Sequence, residues 1–218
     1  MKVRQAQTQC SKCATEFMVL EYVEIDRHGW TLFSDGYLYH PNDASPWHRL
    51  KICPGCQAAI EIDESKLPDL EKGRVLPSGD DRSPRDRVRA HLDTVPPGHP
   101  KRSELLLMDL WVSNHIEAQG RDSRTTRAME ELLDLDNALE SVLRADILRQ
   151  LGRFHEARER LLALQENLSP DDTVKRRHVR SILSLISQSV KGALPVASDP
   201  AHLPPTGRLA IRQVANRL

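Results

Sequence analysis

The four cysteines constrain this chain more than any other feature. Cys10 and Cys13 fall as Cys-Ser-Lys-Cys, Cys53 and Cys56 as Cys-Pro-Gly-Cys, with 39 residues between the pairs. A two-residue gap lets both thiolates of a tight turn face one ion, with backbone N–H groups turned toward the sulfurs. Two such knuckles complete a tetrahedral four-cysteine site, with Zn–S distances of roughly 2.3 Å. In the second pair Pro54 presets φ, and Gly55 is expected to take the left-handed conformation that closes the turn. The spacing predicts a structural Zn2+ held by Cys10, Cys13, Cys53 and Cys56.

Other readings of these residues are ordinary buried thiols and a dithiol redox site, for which Cys-Pro-Gly-Cys has the right shape. A dithiol site belongs at a helix start inside a βαβ unit. Here Cys53 follows a strand-like run ending at Ile52, and Gln57-Ala58-Ala59-Ile60 comes after Cys56. His40 and His48 stand near the third cysteine and are alternative ligands; polar surface histidines are the plainer reading. A four-thiolate ion is coordinatively closed, so it stabilises a fold and leaves no open position for substrate.

Lys+Arg and Asp+Glu number 31 each over 218 residues, so no global charge bias points to nucleic acid or an anionic membrane. The polar start, Met1 to Gln7, shows no signal peptide. The longest apolar runs, such as Leu105-Leu106-Leu107-Met108, fall far short of the ~18 residues of a membrane span. The expected location is a reducing cytoplasm, which suits metal thiolates better than disulfides.

The pattern predicts an α+β chain: a small β-rich four-cysteine zinc ribbon over 1–66, a proline-rich linker over 67–101, an all-α helical-hairpin domain over 102–192, and a flexible tail over 193–218. Strands are expected at Phe17–Ile25, on either side of Ser34-Asp35-Gly36 (Asp-Gly being a hairpin signal), at Trp47–Ile52 and at Ala59–Ile62. Seven of the nine aromatic residues precede residue 67, and they read as a small core on the knuckles or as a ligand-facing platform. Within the linker, Ser83-Pro84-Arg85-Asp86 predicts a short helix near 84–92. Its arginines and His91 are read as a solvated face.

Five further helices are expected: from a Ser103 cap to Gly120, over about 123–135, from an Asn137–Glu140 capping box to Gly152, over Phe154–Leu168, and from Ser169-Pro170 to Gly192. Beyond Gly192 the prolines leave no core-forming pattern, and 208–218 reads as a frayed terminus.

Ala145, Leu148, Gly152, Phe154, Ala157, Leu161, Leu164 and Pro170 fall in an order that resembles one tetratricopeptide repeat. The resemblance implies close-packed antiparallel helices at Ala145 and Ala157, a turn at Gly152 and a hairpin plugged by Phe154. Shifting the pattern by 32 residues aligns Gly120 with Gly152 but puts Asp122 on the aromatic position and Thr125 on the alanine. The cysteine ribbon followed by such helices resembles a group of uncharacterised bacterial zinc-ribbon proteins; this implies architecture and supplies no activity.

Three functions are weighed. A non-enzymatic adapter would use the helices to engage a protein partner. A nucleic-acid-binding regulator would use Lys175-Arg176-Arg177-His178-Val179-Arg180, which also reads as a solvated helix face. An enzyme finds no phosphate-binding, nucleophile-elbow or zinc-protease motif here. The sequence favours the adapter, with nucleic acid second, no catalytic residue and no membrane.

Overall fold

The computed structural model describes residues 2–24, 31–35, 37–39, 46–63, 67–79, 82–115, 122–135 and 140–198. Strands β1 (Lys2–Gln9), β2 (Glu16–Glu24), β3 (Thr31–Phe33) and β4 (Leu38–Tyr39) come first. A 3₁₀ turn at Pro46–Arg49 leads into β5 (Leu50–Ile52) and β6 (Ala59–Glu61). Helices α1 (Pro84–Leu92), α2 (Pro100–His115), α3 (Ser123–Asp134), α4 (Ser141–Gln150), α5 (Phe154–Asn167) and α6 (Thr173–Ser187) follow, and then β7 (Pro195–Ser198). The chain is α+β, with its cysteines among the small amino-terminal sheets and its helices after them. It divides into two compact units, Met1–Asp26 with Asn42–Arg121, and Arg27–Pro41 with Asp122–Leu218.

In the first unit β1 and β2 form an antiparallel hairpin in which Ala6 lies opposite Val19 and Thr8 opposite Phe17. Period-two alternation turns Phe17 and Val19 inward and leaves Leu20 exposed. Ala6, Cys10, Phe17, Val19, Cys53 and Ile62 make one buried cluster, with Ile60 and Leu67 against it. Residues 67–79 were expected to be plain linker. Instead they cover both edges of the hairpin. On the β1 side Gln7 N–H donates to the Pro68 carbonyl at 3.0 Å and Leu70 N–H to Gln5 at 3.1 Å. On the β2 side Met18 N–H donates to Pro77 at 2.9 Å and Gly79 N–H to Met18 at 3.1 Å. Covering an edge removes a template for unwanted strand pairing, and proline supplies the acceptor carbonyl although it has no donor. Side chains fasten the strap: Arg4 binds Glu21, Asp69 and the Leu67 carbonyl, and Arg74 binds Gln7 and Glu16. Gly79 is required by close approach, since a Cβ there would lie 2.5 Å from the Phe17 ring.

Helix α1 starts as expected, with Ser83 Oγ accepting from Asp86 N–H at 3.1 Å and Pro84 in the first turn. Its basic residues are not the solvated face that the composition suggested. Arg85, Arg87 and His91 are buried. Arg87 donates to the Leu50 carbonyl at 3.3 Å, His91 Nε2 lies 3.2 Å from the Lys51 carbonyl, and Arg89 pairs with buried Asp109 of α2 at 2.8 Å. The apolar stem of Arg87 fills space while its head, like that of His91, meets a strand carbonyl. Helix α2 begins at Pro100, so Ser103 is internal and donates back to the Pro100 carbonyl at 3.3 Å. The expected stop at Gly120 lies outside the described residues.

The second unit contains the β3–β4 hairpin that the Asp-Gly signal predicts, with Thr31 opposite Tyr39 and Leu32 opposite Leu38. This hairpin belongs with the helices, and it gains a third strand. β7 pairs with β3, Leu32 opposite Ala197, inside a segment expected to be featureless. The aromatic residues are accordingly divided: Phe17 and Trp47 are buried in the first unit, while Phe33 and Tyr37 meet at 6.2 Å in the second.

A buried polar network anchors the hairpin turn. Arg149 is fully buried, donates from Nε to Asp146 at 2.8 Å and from Nη2 to Ser34 Oγ at 3.2 Å, and also binds the Val190 carbonyl. Gln150 donates to the other Asp146 oxygen at 2.6 Å, and His178 Nε2 lies 3.0 Å from the Ser34 carbonyl. Ser34 also exchanges hydrogen bonds with Leu194, its N–H donating at 2.8 Å and its Oγ accepting at 3.2 Å. Asp35 is buried and accepts from Tyr37 N–H at 3.3 Å. Periodicity cannot reveal this anchor, because Asp146, Arg149 and Gln150 look polar and therefore outward in a helical pattern.

Helix α3 is capped by Asp122, which accepts from Thr125 N–H at 2.8 Å. Asn137, Ala138 and Leu139 of the expected capping box lie outside the described residues; Glu140 holds the cap position of α4 without a side-chain cap bond. Ala145 and Ala157 are fully buried, and α4 ends in the Schellman arrangement. Arg153 N–H bonds to Leu148 and Gly152 N–H to Arg149, both at 2.9 Å, with Gly152 at φ +85°. Phe154 is half-buried. Residues 169–172 form a turn, and α6 starts only at Thr173. It closes with a second Schellman arrangement in which Ser189, at φ 55°, does the work expected of Gly192.

Candidate metal centre

The two cysteine turns repeat one geometry. Cys10 N–H donates to Thr15 and Ala14 N–H to Cys10; Cys53 N–H donates to Ala58 and Gln57 N–H to Cys53, all at 2.9 Å. In each, the residue after the second cysteine is left-handed, Ala14 at φ 58° and Gln57 at φ 59°. The second knuckle is therefore closed by Gln57, two residues after the expected Gly55, which is not left-handed. Gly55 is needed for a different reason: a Cβ there would collide with Thr15 of the first knuckle. The missing side chain lets the two turns meet.

Their meeting brings together Cys10, Cys13, Cys53 and Cys56, whose sulfurs all lie within 4.8 Å of one another. Cys10 Sγ is 3.7 Å from Cys56 Sγ, and Cys13 Sγ is 3.5 Å from Cys53 Sγ. A tetrahedron with metal–sulfur bonds of roughly 2.3 Å has edges of roughly 3.8 Å, whereas a disulfide needs about 2.05 Å. Backbone amides face the sulfurs, Lys12 N–H to Cys10 Sγ at 3.4 Å and Cys56 N–H to Cys53 Sγ at 3.5 Å. Cys10 and Cys53 are buried in the hydrophobic cluster, while Cys13 and Cys56 are exposed.

Electrostatics make the same demand for a cation. The Thr15 hydroxyl and N–H, followed by Cys56, draw the Cys13 thiol down to about 6. At Cys56 the Ala58 N–H pulls the same way but is outweighed by Cys13, desolvation, Cys10 and Cys53, so its thiol is pushed up to about 12. One thiolate forms readily here; the last does not form until positive charge enters the cluster. Four soft sulfurs at tetrahedral separations fit a thiophilic ion.

Among the described residues this is the one grouping of three or more metal-ligating side chains. His48, in the 3₁₀ turn, is not part of it, and His40 lies outside the described residues. The second knuckle joins β5 to β6 and so is a turn between strands, without the helix start of a dithiol site. Sequence spacing singled out all four cysteines of the cluster; it missed Thr15, which hydrogen-bonds Cys13 and lies where a Cβ on Gly55 would fall.

Among the described residues no helix is long and apolar enough to cross a membrane. No protein-family model matches this chain, and no curated protein or solved structure matches it significantly. The molecule is thus defined by its own residues as an α+β chain with a four-cysteine cluster suited to metal.

Proposed function

We propose that this chain is a zinc-stabilised, non-enzymatic adapter that works in a reducing cytoplasm. Zn2+ on Cys10, Cys13, Cys53 and Cys56 would hold the first unit in shape, while tetratricopeptide-like helices of the second engage a protein partner. The observation that carries the metal half is the approach of the crossed sulfur pairs to tetrahedral edge lengths. A tetrathiolate ion has no vacant position and stabilises without catalysing. The arrangement is also what the resemblance to bacterial zinc-ribbon proteins implies.

For the second reading, nucleic-acid binding, the relevant feature is the basic run on α6. Three of its cations are engaged: Arg176 by the Leu168 and Ser169 carbonyls, Lys175 by Glu140, and Arg180 by the Arg176 carbonyl. Arg177 and Arg180 remain exposed, a smaller cluster than phosphate tracking calls for. The adapter reading is therefore preferred.

Elemental analysis of the purified chain, with affinity capture by wild type and a Cys53→Ser/Cys56→Ser variant, tests the proposal. The expected result is bound zinc, lost in the variant, together with a specific protein partner that the helices of the second unit still capture. Absence of tightly held zinc overturns the metal half. A salt-sensitive shift of mixed oligonucleotides, without a protein partner, overturns the adapter half.

A further inference from the structure

We propose that the four-sulfur centre is also an oxidant-responsive switch, which releases its ion by closing two crossed disulfides, Cys13–Cys53 and Cys10–Cys56. The proposal rests on the metal reading above and adds a chemistry to it. Each knuckle offers one exposed sulfur, Cys13 or Cys56, and keeps one buried, Cys10 or Cys53. A small oxidant can thus reach one thiolate of each turn without unfolding the unit.

Each exposed sulfur has a sulfur of the opposite knuckle within 3.7 Å. Cys13 Sγ is 3.5 Å from Cys53 Sγ, and Cys56 Sγ is 3.7 Å from Cys10 Sγ. Each crossed pair therefore couples an accessible point of attack with a sheltered resolving thiolate, the arrangement that makes a cysteine pair redox-responsive. The close approach of Gly55 to Thr15, which leaves no room for a Cβ, sets the two turns side by side. Forming the S–S bonds of about 2.05 Å requires each pair to close by about 1.5 Å, a movement that departure of the ion permits.

With hydrogen peroxide as oxidant the steps balance. The Cys13 thiolate attacks one peroxide oxygen, the O–O bond breaks, and hydroxide leaves with the electron pair. The Cys53 thiolate then attacks the sulfenic sulfur. The S–S bond forms, the S–O bond breaks, and a second hydroxide leaves. Each sulfur gives up one electron and the peroxide takes both. Cys56 and Cys10 repeat the sequence with a second peroxide. Four protons from the buffer's acid form convert the four hydroxides to water, and the ion, stripped of its anionic ligands, departs. The knuckles stay clasped face to face, so a thiol reductant restores the site. Disulfides within the knuckles, Cys10–Cys13 and Cys53–Cys56, would instead let the turns separate.

Trypsin distinguishes the two pairings. It cuts between Lys12 and Cys13, placing Cys10 on Gln5–Lys12 and Cys13 on Cys13–Arg27, while Cys53 and Cys56 share Ile52–Lys66. The full chain is reduced, loaded with zinc without air, assayed for metal, treated with hydrogen peroxide beside a chromogenic chelator, alkylated, digested and fragmented by mass spectrometry. The expected product is one species of three joined peptides, with Cys13 on Cys53 and Cys10 on Cys56. Two peroxides should be consumed per ion released, and dithiothreitol should restore zinc binding. Gln5–Lys12 joined only to Cys13–Arg27, beside an internally closed Ile52–Lys66, overturns the proposal. So does ion retention, or conversion to sulfinic acid without disulfides. A chain that holds no zinc before peroxide is added overturns the metal reading instead, and is recognised at the first assay.

Discussion

The two units solve one problem by different chemistry. Each must fix small sheets of two or three strands, which are marginal on their own. In the first unit four sulfurs stand at metal-binding distance, two of them buried in the small cluster around Phe17 and Val19, and with an ion they would form the clamp. In the second it is a guanidinium: Arg149, fully buried, ties the turn at Ser34 to Asp146 and to the carbonyl of Val190. A tetrathiolate clamp depends on an ion from solution and can be opened by chelation or oxidation. An internal ion pair is independent of solution metal, but every member must be present, since a half-satisfied buried network costs more than an apolar one.

The sharpest way to break this contrast is to remove metal. Strong chelation of the full chain should abolish amide protection over β1, β2, β5 and β6 and leave α4, α5 and α6 protected. Structural zinc contributes on the order of 10–16 kcal/mol in small zinc-dependent peptides, so this is the largest effect expected. Uniform loss of protection across both units would sink the contrast.

Replacing Arg149 by Met should do the reverse. It leaves Asp146 buried without its cation, at a cost of about 3–5 kcal/mol. Hydrogen exchange should quicken over β3 and β7 first while zinc content stays unchanged. Unaltered exchange there would remove Arg149 from the anchoring role.

A smaller effect tests the strap. Gly79→Ala would drive a Cβ into the Phe17 ring, and overpacking of this kind costs about 1–3 kcal/mol. Loss of stability should appear in the first unit alone. The smallest change should be a gain: Ser189→Gly relieves a left-handed residue at the end of α6, worth about 1 kcal/mol. A thermal midpoint that fails to rise would show that Ser189 is held there without strain.

Legibility in the sequence followed the range of the forces involved. The Ser83 cap, the turn at Gly152 and the Asp-Gly hairpin were readable because each depends on residues close in the chain. The start of α6 was misplaced because Ser169-Pro170 has the chemistry of a helix start, and here that chemistry serves a separate turn. The end of α6 was misplaced because serine seldom adopts φ > 0, so Gly192 was the natural choice. The candidate site was readable almost whole, since thiolates two residues apart advertise a metal without any knowledge of the fold.

By itself the sequence determined the four cysteines of the cluster, the α+β class and most helix spans, because cysteine spacing and apolar periodicity are local properties. Only the tertiary structure decided which unit the β3–β4 hairpin joins, that 67–79 seals the edges of β1 and β2, and that Pro195–Ser198 is a strand. Those outcomes turn on backbone groups finding partners far along the chain, and on polar side chains such as Arg149 being buried with each guanidinium nitrogen hydrogen-bonded. A backbone carbonyl carries no side-chain signature, so its distant partner cannot be read from composition or period.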